Sequence, residues 1–359
     1  MTLLNRYILA QFARHIITIM LSLVAIYLLI DFFEKIDNFQ DKGKPMSMVF
    51  SFFALNIPFI LDQMSPVCIL LAGVVTLGIL NSSNELIAIK ASGIPLKKII
   101  FPIILAGVTV TLTFLAMSQF VIPTTSSGKN KIWNEELLDR VSLGIYRNNR
   151  YYYRGAEGTY SFAKPSKDKN EFFDFSYAVR NPNLTDTLIN AASAQYDEKQ
   201  WTLYNGQIQQ GDTNGDYSTT IFTEKQFSFP EIPANFFIPE YRSQELSLTG
   251  LFLDAWKKKN KDEAMEAWAD FYGRVSYTLL GLPLLILGLP VLLIVYRRWG
   301  KDLSLAIPVS CGLAFVCWGT WSTLQSMAQA GYLHPLVSAL SVHVIITWLG
   351  FHLLKREDL

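Results

Sequence analysis

Residues 99–122 read IIFPIILAGVTVTLTFLAMSQFVI, with no acidic or basic side chain anywhere in the run. A helix needs about 20 consecutive apolar residues to cross a hydrocarbon core of roughly 30 Å, and this stretch supplies them. Similar stretches lie on both sides. Ile16–Ile30 is uncharged, and its apolar pattern continues past Asp31 to Phe33. Residues 45–84 carry one charge, Asp62, Val275–Tyr296 carry none, and Leu303–Leu354 holds only histidines. Half of the 359 residues are hydrophobic and only 17% are charged, against about a quarter in a soluble domain. The chain is therefore an integral membrane protein.

Leu303–Leu354 is too long for one span, and the turn chemistry of Gly331-Tyr332-Leu333-His334-Pro335 divides it into helices at about 306–329 and 336–354. Residues 45–84 fit either a hairpin or one span with a lead-in. Short loops rich in Lys and Arg stay in the cytoplasm, and that rule decides. A single span ending near Leu80 gathers Arg6, Arg14, Lys90, Lys97, Lys98, Arg297, Arg298, Lys301, Lys355 and Arg356 on the cytoplasmic side. The outer loops then hold Lys35, Lys42 and Lys44, balanced by Glu34, Asp37 and Asp41. Residues 46–56 become an approach along the membrane surface. The N-terminal apolar region is too long for a cleavable signal and reads as a retained helix. The expected architecture is an α-helical membrane protein with six spans, three and three, around an inserted all-β, jelly-roll-like domain.

That domain is expected at 124–245, between a helical part at 1–123 and another at 246–359. It is polar, rich in Tyr and Phe, and punctuated by Asn181-Pro182-Asn183, Asn205-Gly206 and Asp212-Thr213-Asn214-Gly215. Short alternating runs at Tyr151–Arg154, Tyr160–Ala163, Phe172–Val179, Gln200–Tyr204 and Thr219–Thr223 read as strands. After three spans from a cytoplasmic N-terminus it lies outside the cytoplasm. Leu248–Trp268 then turns helical, with Leu251, Trp256, Met265 and Trp268 on an apolar side and a basic run at Lys257–Lys261 facing solvent or lipid headgroups.

Self-contained catalysis finds no support. Gly206–Thr213 has glycines at P-loop distance, but Asp212 stands where the lysine belongs. His15, His334, His343 and His352 form no close metal-ligating pair, and Cys68, Cys311 and Cys317 all fall in spans, where no disulfide framework for the β domain is available. A net charge of +1 points away from nucleic acid.

What remains is polarity in costly places. Asp62 and Gln63, between Pro58 and Pro66, sit inside or just above the second span. An intramembrane carboxylate suggests a proton relay, whereas an interfacial one is ordinary. Asn81–Gly93 reads as a short cytoplasmic helix at about 82–93, capped by its Ser/Asn cluster and stopped by Gly93 and Pro95. Its Leu86, Ile87 and Ile89 must bury against membrane or against a groove on a soluble partner. Glu85 would meet a basic residue of that partner, or simply complement the helix dipole.

The core Glu85-Leu86-Ile87-Ala88-Ile89-Lys90-Ala91-Ser92-Gly93 resembles the LptF/LptG family of lipopolysaccharide-export permeases. So do Phe120-Val121-Ile122-Pro123, Trp201–Gly206, Arg274 with Pro283 and Pro290, the Gly331–Pro335 turn and the order of the parts. Asp31–Phe39 looks more like the LptG branch.

The resemblance implies a permease subunit of an ABC-type exporter in the bacterial inner membrane, with both termini cytoplasmic and the β domain periplasmic. Its partners would be a paralogous, LptF-like permease, an LptB-like ATPase dimer that carries ATP and Mg, a periplasmic LptC/LptA-like β-jellyroll bridge, lipopolysaccharide and membrane lipids. No cofactor is expected on the chain itself. Glu85, Leu86, Ile87, Ile89, Lys90 and Gly93 would couple to the ATPase. Lys35, Lys42, Lys44, Lys129 and Lys131 are candidates for the phosphorylated headgroup, each also readable as an ordinary interface lysine. Glu34, Gln40 and Asp41 stand where related permeases carry basic residues, so headgroup contacts would be rearranged. An ion-coupled transporter using Asp62 and a membrane-tethered β domain that binds a partner are the competing functions.

Overall fold

The computed structural model describes residues 3–137, 144–147, 150–155, 157–163, 171–181, 184–197, 200–211, 217–236, 242–258, 261–300 and 303–357. They form two compact units, Met1–Lys129 with Arg242–Leu359, and Asn130–Tyr241.

The first unit opens with α1 (Leu3–Asp41), α2 (Met46–Ser82), the short α3 (Glu85–Ala91) and α4 (Leu96–Phe120), followed by α5 (Ile122–Lys131), which runs across the boundary between the units. At 1.5 Å per residue, α1 and α2 each run to more than 50 Å, well beyond a hydrocarbon core. Residues 46–56 are therefore not a separate approach segment. They continue into the second span as one helix of 37 residues, even though Pro58 and Pro66 lie inside it. Among the described residues, six stretches are long and apolar enough to cross a membrane: Leu3–Asp41, Met46–Ser82, Leu96–Phe120, Ala264–Trp299, Ser304–Gln329 and Pro335–Glu357.

Two turns follow one design. Lys44 N donates to Phe39 O and Gly43 N to Gln40 O; Ile94 N donates to Ile89 O and Gly93 N to Lys90 O. In both, glycine takes the left-handed conformation just past the helix (φ 60° at Gly43, 83° at Gly93), the paired bonds satisfy the last carbonyls, and a proline follows.

The second unit starts with the end of α5 and a π-helical turn at Ile132–Leu137. Among the described residues seven strands follow: β1 (Gly144–Arg147), β2 (Arg150–Arg154), β3 (Thr159–Ala163), β4 (Glu171–Asn181), β5 (Leu184–Asp197), β6 (Gln200–Gly211) and β7 (Tyr217–Phe227). They form one antiparallel sheet in chain order, each strand beside its sequence neighbour. Its core is aromatic, with Tyr153, Tyr160, Phe162, Phe172, Phe175, Tyr177, Trp201 and Phe236 buried together. Asn181-Pro182-Asn183 and Asp212–Gly215 fall largely or wholly outside the described residues.

Asn205-Gly206 is not a turn. It lies inside β6 on a line where Asp174, Ala192, Asn205 and Thr223 of four successive strands are left out of the pairing while the register continues unchanged. Asp174 and Asn205 have φ of 49° and 51° there. A Cβ on Gly206 would overlap the carbonyl of Asn190 and the ring of Phe222. This irregularity moves the inward face by one residue, so Phe172 and Phe175, and likewise Ala191 and Ala194, are all buried though three apart. This also hides β5 from sequence reading: its alternation breaks midway, and alanines fill core positions.

After α6 (Pro233–Phe236) the chain returns to the first unit with α7 (Arg242–Glu245), α8 (Leu248–Lys257), α9 (Lys261–Leu279), α10 (Gly281–Trp299), α11 (Leu303–Gln329) and α12 (Pro335–Glu357). Leu248–Trp268 is thus two helices rather than one. α8 ends at an extended Lys258 (ψ 123°), and α9 begins before the fourth span and runs into it. Trp256 is exposed while Leu251 is buried, so the two do not share a packed side. α2 and α10 form the buried centre of the bundle. Leu285 of α10 fills the space left by Gly73 of α2 and Gly107 of α4, and a Cβ at either would meet its methyls. Small residues allow helix backbones this close where no water drives association.

Candidate functional sites on the helical unit

The first candidate site is α3 with its two joints. Asn84 takes a left-handed conformation (φ 62°) between α2 and α3, and its carbonyl accepts from Ala88 N at 3.1 Å. The turn at Gly93 closes the other end. Leu86 is 3% exposed and sits in the bundle core, and Ile89 packs partly against that core. The three apolar residues therefore divide. Leu86 is committed to its own chain, and Ile87, at 51% exposure, presents the free apolar surface beside exposed Lys90 and Gly93. Glu85 is held from two sides: Tyr7 donates its phenol to Oε2 at 2.9 Å, and Ser83 Oγ donates to Oε1 at 3.0 Å. Ser83 belongs to the Ser/Asn cluster legible in the sequence, whereas Tyr7 escapes sequence reading because 78 positions separate it from Glu85.

The second site is a chain of polar groups across α1, α2 and α5. Asp31 is 5% exposed. Its Oδ1 is ion-paired with Lys35, and its Oδ2 accepts from Asn56 Nδ2 at 3.3 Å. Asn56 Oδ1 in turn accepts from Lys129 Nζ at 3.4 Å, which also lies 4.8 Å above the centre of the Phe59 ring. Burial, and next the charge of Lys35, pull the Lys129 ammonium below the usual lysine range, while Asp31 and Glu245 act the other way. A buried carboxylate is tolerable only when both oxygens are satisfied, and here they are.

Of the five headgroup candidates, only Lys35 and Lys129 come together here. Lys42 is exposed and Lys44 half-buried at the turn after α1, and exposed Lys131 belongs to the other unit. Asp31 and Asn56 did not stand out in the sequence as site residues. The four-residue spacing from Asp31 to Lys35 was the available signal.

Asp62 is buried at 5% exposure within the bundle rather than at a surface. Thr278 Oγ1 lies 3.5 Å from its Oδ1, and Arg274 is the opposite charge acting on it. The same guanidinium donates to the carbonyls of Leu246 and, at 3.0 Å, Gln244. Beside it, Tyr277 donates to Gln63 O. The histidines have local roles. His15 bonds Thr76 at 3.0 Å, His343 bonds the carbonyl of Ser276 at 2.8 Å, His334 accepts from Leu336 N at 3.3 Å, and His352 stacks on Trp348.

These three sites are a helix held at both joints, a lysine pair around a buried carboxylate and a buried aspartate beside Thr278, on a chain whose described residues include six candidate spans. A comparison with curated proteins found no match. The sequence profile of the family described as "Lipopolysaccharide export system permease LptF/LptG" matches residues 6–356. The chain belongs to that family.

Proposed function

We propose, from this membership, that the chain is a permease subunit of an ATP-driven exporter, of the LptG branch, that lifts lipopolysaccharide out of the inner membrane toward a periplasmic bridge. The observation that carries the reading is α3. A helix of seven residues cannot stay folded alone, yet this one is closed at both ends and anchored through Leu86. It turns Ile87 and Lys90 outward and keeps the Glu85 carboxylate oriented. A cytoplasmic LptB-like ATPase would receive it and supply the ATP and Mg chemistry. An LptF-like permease would complete the substrate cavity. Closure of the ATPase would move α3, and with it α2, as a connected element.

Lys35 and Lys129 are the favoured headgroup contacts. Two ammonium groups that raise each other's electrostatic cost, with one carboxylate between them, gain from a phosphate that adds negative charge. The antiparallel sheet would hand the lipid on, with exposed β7 as the edge available for strand pairing with an LptC/LptA-like partner. The ion-coupled alternative rests on Asp62, for which the Thr278 hydroxyl and the opposite charge of Arg274 offer a structural role without ion movement.

The test is charge reversal. Glu85→Lys should insert normally into membranes yet fail to co-purify with a P-loop ATPase and fail to export. Undiminished co-purification and export would overturn the coupling role.

A further inference from the structure

α8 (Leu248–Lys257) has two apolar faces, and the bundle covers only one. At about 100° per residue, Leu251 and Ala255 share a side, and both are buried, at 4% and 2% exposure. Phe252, Trp256 and Leu253 occupy the next sector and are 40%, 72% and 50% exposed. The remaining sector carries Asp254 and Lys257, with Asp254 ion-paired to Lys258 at 3.5 Å.

The height of this helix is set by two spans. Gln119, one residue from the end of α4, bonds Thr249 reciprocally: Nε2 donates to Oγ1 at 2.8 Å and Thr249 N donates back to Oε1 at 3.1 Å. Phe252 meets Trp268 and Phe271 of α9, ring centres 5.4 and 5.6 Å apart, near the start of the span Ala264–Trp299. Trp268 stacks on Tyr272 at 5.5 Å. The exposed sector therefore continues into an aromatic cluster where one span ends and another begins, the place where Trp and Tyr concentrate at membrane–water boundaries.

We infer that α8 is an in-plane interfacial helix, with Phe252, Leu253 and Trp256 immersed in the lipid at the headgroup–acyl boundary and Lys257 and Lys258 among the lipid phosphates. The three sectors match three surroundings, namely protein, acyl chains and headgroups. A helix of ten residues is too short to span but suited to lie in the boundary. The cations flanking its apolar sector complement phosphates, which favours lipid over a second protein as the occupant.

The test uses the full chain reconstituted in phosphatidylethanolamine–phosphatidylglycerol vesicles. The emission of Trp256 is isolated as the difference between the wild type and Trp256→Phe, which keeps the apolar sector. Trp348 of α12, 65% exposed, serves as the control for a lipid-facing residue through Trp348→Phe. The expected result is that phospholipids brominated near the top of the acyl chain remove most of the Trp256 component while aqueous acrylamide leaves it. Strong acrylamide quenching would place the face in water and overturn the inference. Protection from both quenchers would place it against protein and overturn it equally. Bromolipid quenching of Trp348 without Trp256 would reject α8 as interfacial and leave the spans standing. Loss of both would reject the membrane placement itself.

Discussion

Tyr7 donates its phenol to the Glu85 carboxylate at 2.9 Å, tying the first turns of α1 to the first residue of α3. Ser83 holds the other oxygen. The carboxylate is thus oriented before any partner arrives. An interaction made by a preoriented group wastes less freedom on binding. Tyr7→Phe removes one of two constraints and leaves the charge, so it should weaken ATPase co-purification a few-fold, as for an exposed charged contact. Glu85→Lys should abolish it. Equal losses from the two variants would mean that Tyr7 acts through more than this bond.

The Asp31–Lys35 pair should show a double-mutant signature. Asp31→Asn leaves the Lys35 ammonium beside Lys129 without its carboxylate, and removing one partner of a buried pair costs up to about 3 kcal/mol for a partly exposed lysine. Asp31→Asn with Lys35→Met should recover much of that loss. Thermal unfolding in detergent measures both, and simple additivity of the two changes would argue against the pairing.

Arg274 donates to two backbone carbonyls at once, those of Leu246 and Gln244. Lysine keeps the charge but not the planar fork. Arg274→Lys should therefore cost about 1–3 kcal/mol and make residues 242–247 more accessible to protease than in the wild type. An unchanged digestion pattern would reject the clamp.

The sheet should be sensitive to alkali. Burial, followed by the hydrogen bond to Glu231, raises the Tyr160 phenol pKa, and burial raises those of Tyr153 and Tyr177 as well. A group whose folded pKa lies above its unfolded value of about 10 contributes stability below that pH and loses it as pH rises further. Loss of sheet structure by circular dichroism should therefore steepen above about pH 10. Tyr160→Phe should flatten part of that slope while lowering stability at neutral pH, because buried Glu231 loses a donor.

Glycine at 93 takes a left-handed turn with open space around it. Gly93→Ala meets no neighbour and should cost about 1 kcal/mol through backbone strain alone. Gly93→Asn should be milder, since asparagine tolerates that conformation. Helicity at α3, followed by amide exchange of Ile87–Lys90, distinguishes the two.

How far the sequence could be read depended on whether the signal was local. Uninterrupted apolar runs announced six spans because the bilayer thickness imposes a length on each. Gly93-Ile94-Pro95 and Gly331–Pro335 marked helix ends because the left-handed residue and the proline that follows are local requirements. β2, β3 and β4 were visible in their alternating aromatics. β5 was not, since the irregularity at unpaired Ala192 shifts its inward face, and the same line of irregularity holds Asn205-Gly206, which reads as a turn. In the candidate sites, Glu85 and the lysines were legible as charges in unusual places. Tyr7, Asn56 and the carbonyls of Gln244 and Leu246 were not, because nothing in a side chain's own neighbourhood in sequence announces a partner tens of residues away.

The sequence by itself determined that this chain is a membrane protein of six spans with an inserted β sheet, and its family followed from motifs in order along the chain. Those properties depend on hydropathy, spacing and turn chemistry, which are written residue by residue. Only the tertiary structure decided that Lys35 and Lys129 meet around Asp31 and Asn56, that Asp62 is buried beside Thr278 inside the bundle, and that Leu86 is buried while Ile87 is presented. Burying a charge is tolerable only with a partner in place, and helix packing chooses that partner from anywhere in the chain.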